Sequence, residues 1–143
     1  MLRVMTQDDM LAAVAYLEAV WDSKRDATAV LASRGEGERP ILDVVLDLAE
    51  HVAQLGTQQR LGIHEGLTAE QIEAAKKRLE EDRETQLSIL LVETLRTWSL
   101  TARGEARSKL CLAVIGFMAV IFKATDDEVP QMLAILRKGA LAG

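Results

Sequence analysis

Aromatic rings make up only 3% of this sequence, and the residues that build reactive centres are scarcer still, with one cysteine and two histidines. Each shortage closes off a class of protein. A lone Cys111 allows no intrachain disulfide and no CxxC redox or zinc pattern, which fits a reducing compartment. Basic residues are outnumbered, 17 Lys and Arg against 22 Asp and Glu, for a formal charge of −5. A general polyanion binder needs a basic surface to neutralise phosphates, so no nucleic acid is expected as a partner. Alternating runs long enough for a strand, internal repeats and low-complexity tracts are also missing. The stretch MLRVMTQDDM has a short apolar patch followed by acids, without the long apolar region and cleavage site of a secretory signal. The expected setting is cytoplasmic.

What the sequence has is aliphatic mass: 49% of its 143 residues are hydrophobic. A chain of this length, read as one domain over residues 1–143, buries roughly 68% of its unfolded surface. A core of Leu, Val, Ile, Ala and Met favours helix packing. The expected fold is an all-α, single-domain bundle of five or six helices.

Thr6 with Asp9 reads as the cap of a first helix, along which Met10, Leu11, Val14, Leu17, Val20 and Trp21 recur at helical steps. The pattern weakens at Asp22 to Asp26 and resumes at Val30 and Leu31, as one long helix or two with a bend. RGEGERP, Arg34 to Pro40, is the first clear loop. From Ile41 to Leu55 an apolar face of Ile41, Leu42, Val44, Val45, Leu48, Ala49, Val52 and Leu55 predicts an amphipathic helix, ending between Gly56 and Gly62. Leu67, Thr68, Gln71 and Ile72 carry a capping box and a hydrophobic staple, so a third helix starts at Ala69.

No Gly or Pro follows until Gly104, and a continuous third helix over 69–100 would reach roughly 48 Å. Its first half is charged, with spacings such as Glu73 to Lys77 and Arg78 to Asp82 that support an exposed helix. Its second half, with Leu87, Ile89, Leu90, Leu91, Val92, Leu95 and Trp98, is apolar on almost every side and is expected in the core. The first half is then expected to project, to kink near Glu80 to Glu84, or to pack on a second copy.

The run from Leu110 to Phe122 contains no charged residue and is flanked by Lys109 and Lys123. As a helix it spans about 20 Å, short of a ~30 Å hydrocarbon core. It is expected to be an apolar central helix, about 109–124, in which Gly116 lets a neighbour approach. A hairpin of this helix with the Val129–Leu136 segment, released onto a membrane by a trigger, is the weaker reading. Thr125 to Met132 supplies caps for a last helix, Val129 to Lys138, with GALAG as a frayed tail.

The chemistry-bearing residues do not assemble into a motif. His51 with Glu50 and Asp47, and His64 with Glu65, lack the Glu-x-x-His pairs of a di-iron bundle, so no metal or cofactor is expected. Cys111 lacks the electropositive, accessible setting of a nucleophile, so no catalytic residue is expected either. Arg96, Arg103, Arg107 and Lys109 form a small basic cluster that reads as a solvated loop. Tyr16, Trp21 and Trp98 read as interface rings, and Met10, Met118 and Met132 as core filler. The expected function is a non-enzymatic helical interaction module, a homo-oligomeric regulator, adaptor or structural subunit. The partner is a second copy, with another protein as a further candidate. The symmetric homodimer interface is expected at Ile72, Ala75 and Leu79, with Arg83 at its rim. The alternative is a sensor or carrier for an apolar or fatty-acid-like small molecule held inside the bundle.

Overall fold

The computed structural model describes residues 5–35 and 37–142. Among them the chain forms α1 (Gln7–Trp21), α2 (Arg25–Ala32), α3 (Ile41–Leu61), α4 (Ala69–Glu81), α5 (Arg83–Ser99), α6 (Glu105–Phe122) and α7 (Val129–Ala142), with a 3-10 turn at Asp126–Glu128. The fold is all-α. Residues 1–4, Glu36 of the first loop and Gly143 of the tail, all included in the readings above, lie outside the described residues.

Caps place most boundaries. Thr6 Oγ1 accepts from the Asp9 amide at 3.0 Å and opens α1. The expected capping box of α4 is complete: Thr68 Oγ1 accepts from Gln71 N at 3.2 Å, and Gln71 Oε1 accepts from Thr68 N at 2.9 Å. α3 runs through Gly56 and stops at Gly62, whose φ of 69° is the left-handed end that glycine accommodates without strain. Gly56 has a packing role, because a Cβ there would stand 2.7 Å from Ile121 Cγ2 on α6.

Seven α-helices replace the expected five or six because two segments break. Ser23, with φ of 57°, separates α1 from α2, and Lys24 N donates to Ala19 O at 2.9 Å across the turn. The expected third helix over 69–100 is likewise two helices, divided at Asp82, whose φ and ψ of −78° and 114° are extended. The last helix runs past Lys138 to Ala142 in place of a frayed tail. Ala140 is buried, and its carbonyl accepts from Gln7 Nε2 at 2.9 Å.

The core lies between α1, α3, α6 and α7. α3 is its most enclosed helix, burying Ile41, Leu42, Val44, Val45, Leu46, Leu48, Ala49 and Val52 against neighbours on several sides. α6 shares that central role through one face, with Leu110, Cys111, Val114, Ile115, Met118 and Ala119 buried. Its other face, Leu112, Ala113, Gly116 and Val120, is exposed. Gly116 therefore admits no neighbour within the chain, and a Cβ there would meet nothing within 4 Å.

The one buried charged residue among those described, Asp47 on α3, explains why the α3 stripe tolerates an acid. Arg39 pairs with Asp47 Oδ2, and Arg96 of α5 reaches Asp47 Oδ1 at 2.7 Å and Glu50 at 2.8 Å. Arg39 also approaches Asp9 of α1 at 3.9 Å, and Asp9 holds Arg34 at 3.1 Å. A buried carboxylate without such partners would be strongly destabilising; here the network ties α1, the first loop, α3 and α5 together. Arg137 and Glu18 pair between α7 and α1. No single helix among the described residues is long and apolar enough to cross a membrane, and α6 meets the last helical stretch at 98°.

Candidate functional site

Two apolar surfaces that involve α5 remain after the core is closed. The first is a groove of about 740 Å³ walled by α3, α4, α5 and the loop after Gly62. Ala53, Ile63, Leu67, Ile72, Ala75, Leu79, Ile89 and Val92 make its lining mostly aliphatic. The second is the outer side of α5, where Leu87, Leu91, Thr94 and Trp98 recur at steps of four, three and four residues beside Leu90, all of them exposed. Only Val92 and Leu95 of this helix are buried. The second half of the expected long helix is therefore a partly exposed flank, not a core element.

The groove exists because α4 is held at its end while touching the body only lightly. Ala75 is its one buried residue. The corner between α4 and α5 is pinned to the end of α3: Arg60 donates to both carboxylate oxygens of Asp82 at 2.7 Å, and Glu84 takes Arg60 Nε at 3.0 Å. Asp82 Oδ2 also accepts from the Thr85 amide at 2.8 Å, capping α5. These bonds favour the ionised carboxylate, so the Arg60 guanidinium, and then Thr85, hold Asp82 well below the usual carboxylate range.

The two ends of the groove differ in charge. Arg96 bonds Glu50 at 2.8 Å at one end, near Glu93. Thr57 meets Thr85 at 3.5 Å towards the other, where Gln58 and His64 also line the wall and the acids behind Thr85, Asp82 and Glu84, are paired with Arg60. His64 Nδ1 accepts from Gly66 N at 3.1 Å, which leaves the neutral ring's proton on Nε2. Lys76 stands on the α4 wall, 3.6 Å from an exposed Glu73.

The residues expected at an interface divide accordingly. Ile72, Ala75 and Leu79 line the groove, facing α3 and α5 of their own chain, with Ile72 still 42% exposed. Arg83 stands exposed in the first turn of α5. The basic cluster does not form: Arg96 turns to Asp47 and Glu50, Arg103 donates to the Ala102 carbonyl at 2.9 Å, and Lys109 lies 3.8 Å from Glu105. Arg107 is half-buried on α6, and its Nε has no hydrogen-bond partner among the described residues. Tyr16, Trp21 and Trp98 do not converge on the groove.

Among the described residues no three His, Cys, Asp or Glu side chains are placed to hold a metal ion. His51 is exposed on α3 while His64 sits at the groove. Cys111 is fully buried, and burial pushes its thiol up to about 12. What these surfaces offer chemically is aliphatic area with a few polar groups at the edge, suited to binding. No family model, no curated protein and no solved structure matches the chain.

Proposed function

We propose that this protein is a non-enzymatic helical interaction module that works as a homodimer, pairing through the outer side of α5. The observation that carries this reading is the exposure of Leu87 (65%), Leu90 (59%), Leu91 (41%) and Trp98 (37%) on that side. A contiguous apolar patch of several hundred Å² on a monomer marks an interaction surface. The stripe positions Leu87, Leu90, Leu91, Thr94 and Trp98 are themselves uncharged, so antiparallel pairing with the same stripe of a second copy sets no like charges directly against each other along it. The exposed Leu112 and Val120 of α6 add apolar area that a dimer or a further protein partner can use. The single buried thiol suits the reducing, cytoplasmic setting in which we place this role.

Sedimentation and light scattering at micromolar concentration test it. The parent should run as a dimer, and Leu87→Glu with Leu91→Glu as a folded monomer with an unchanged circular dichroism spectrum. A parent that is monomeric at high micromolar concentration overturns the reading. Ile72→Glu with Leu79→Glu distinguishes the two candidate seams: loss of the dimer in that variant alone would move the interface to the α4 side.

A further inference from the structure

The groove is independent of the stripe just described, because it uses Ile89 and Val92 of α5, while Leu87, Leu90 and Leu91 point elsewhere on the helix. We propose that it binds one fatty carboxylate, with the aliphatic chain between α3, α4 and α5 and the carboxylate at the end marked by Gln58 and His64.

Four observations converge on this occupant. The volume of about 740 Å³ falls within the range of small-molecule sites, 300–1,000 Å³. The apolar wall is aliphatic throughout and, His64 aside, contains no aromatic ring to stack a planar ligand. The wall is pinned at one end: Arg60 and Asp82 hold the corner between α4 and α5 against the end of α3 at 2.7 Å, so binding has only the rest of α4 to order. Charge then orients the ligand. Glu50 and Glu93 repel a carboxylate from the Arg96 end, where the guanidinium is already taken by Asp47 and Glu50. The lining cation outside that end is Lys76 on the α4 wall, held only by a surface pair at 3.6 Å, and His64 and Gln58 add polar groups to the lining.

Calorimetric titration of the full chain with octanoate, decanoate, dodecanoate and tetradecanoate, each below its aggregation concentration, tests the proposal. One equivalent per chain should bind, with affinity rising about fourfold per methylene, equivalent to about 0.8 kcal/mol per buried CH₂, until the groove is full. Lys76→Gln should weaken dodecanoate several-fold and leave dodecanol unchanged. Ser88→Phe, projecting into the groove from α5, should abolish binding; if that variant fails to fold, Ile72→Gln on the half-exposed rim serves instead. In a ¹⁵N-labelled sample the shifts should fall on Ala53, Ile63, Ala75 and Ile89. The proposal is overturned by any of three results: no saturable binding across the series, shifts confined to Leu87, Leu91 and Trp98, or dodecylamine binding more tightly than dodecanoate.

Discussion

α3 and α5 lie against each other and are similarly rich in aliphatic residues, yet they use them oppositely. α3 buries Ile41, Leu42, Val44, Val45, Leu46 and Leu48. α5 buries Val92 and Leu95 while Leu87, Ile89, Leu90 and Leu91 remain exposed. The difference lies in neighbours: α1, α5 and α6 surround α3, whereas α5 has α3 and α6 on one side, a lightly held α4 on another, and solvent on the third. The hydrophobic effect acts on area removed from water, so in α3 the aliphatic side chains stabilise the fold and in α5 most of them contribute little to it. A molecule divided in this way has a well-buried body, α1, α3, α6 and α7, and an arm, α4 and α5, that leaves much of its apolar content exposed.

The division can be broken most sharply on α6, which has both kinds of face. Val114 is 0% exposed and Val120 77% exposed. Val114→Asp places an unpartnered charge in the core, a change expected to cost more than the whole stability margin of about 5–15 kcal/mol, so circular dichroism should show an unfolded chain at 25 °C. Val120→Asp should melt within about 0.5 kcal/mol of the parent. If the two variants melted alike, the body would not be the stable part that the burial pattern describes.

A smaller effect comes from the buried thiol. Burial raises Cys111 to about 12, which favours the neutral thiol in the folded state. Its stabilising contribution is complete below the unfolded thiol value of about 8.5 and is lost as pH rises from there towards about 12. Chemical denaturation from pH 8 to 11 should show a falling alkaline limb that is shallower in Cys111→Ala. At pH 8, alkylation of Cys111 should wait on global opening of the body, while a cysteine introduced by Leu91→Cys in the Cys111→Ala background should react at once. Rapid labelling of native Cys111 would show that the body opens locally.

Local signals in the sequence carried most of the fold. Thr6, Thr68 and Gln71 announce helix starts through side-chain bonds to residues three positions away, and such bonds need no tertiary information. The break at Asp82 is harder to see, because neither Gly nor Pro marks it and Arg78, Asp82 and Gln86 also suit a continuous helix. The available signal was Asp82 itself, a preferred N-cap residue with Thr85 three positions on; what decides the break is Arg60, 22 residues earlier. The groove was illegible for the same reason. Its walls come from three helices and a loop, and nothing local in Ile72 or Leu79 shows that α3 and α5 stand opposite them. The outer stripe of α5 was visible as residues but not as a surface, since periodicity identifies an apolar side and says nothing of what covers it.

The smallest expected effect sharpens the comparison from the side of the arm. Asp82 joins α4 to α5 and both to α3, yet it touches none of the core, so its removal should loosen the arm and leave the body intact. Hydrogen exchange on Asp82→Ala should show faster exchange over Ala69–Glu81 and the first turn of α5, with Leu46 and Val114 unchanged. Asp82→Asn keeps the capping oxygen and loses the charge pair, and it should fall between that variant and the parent. Acid should reproduce the effect in the parent. Because the folded value of Asp82 is depressed, its contribution is complete above the unfolded carboxylate value of about 3.9 and disappears as pH falls below that towards the folded value. Once the pH dependence of the exchange chemistry is divided out, α4 should keep its protection down to about pH 4 and lose it between about pH 4 and pH 2 in the parent, but not in Asp82→Ala, which has already lost it. If α4 kept its protection in both, contacts such as that of Ala75 would be holding the arm without the corner. If Leu46 and Val114 were released together with α4, arm and body would be one cooperative unit, and the exposed apolar area of α5 would have to be explained without a separate, loosely held arm.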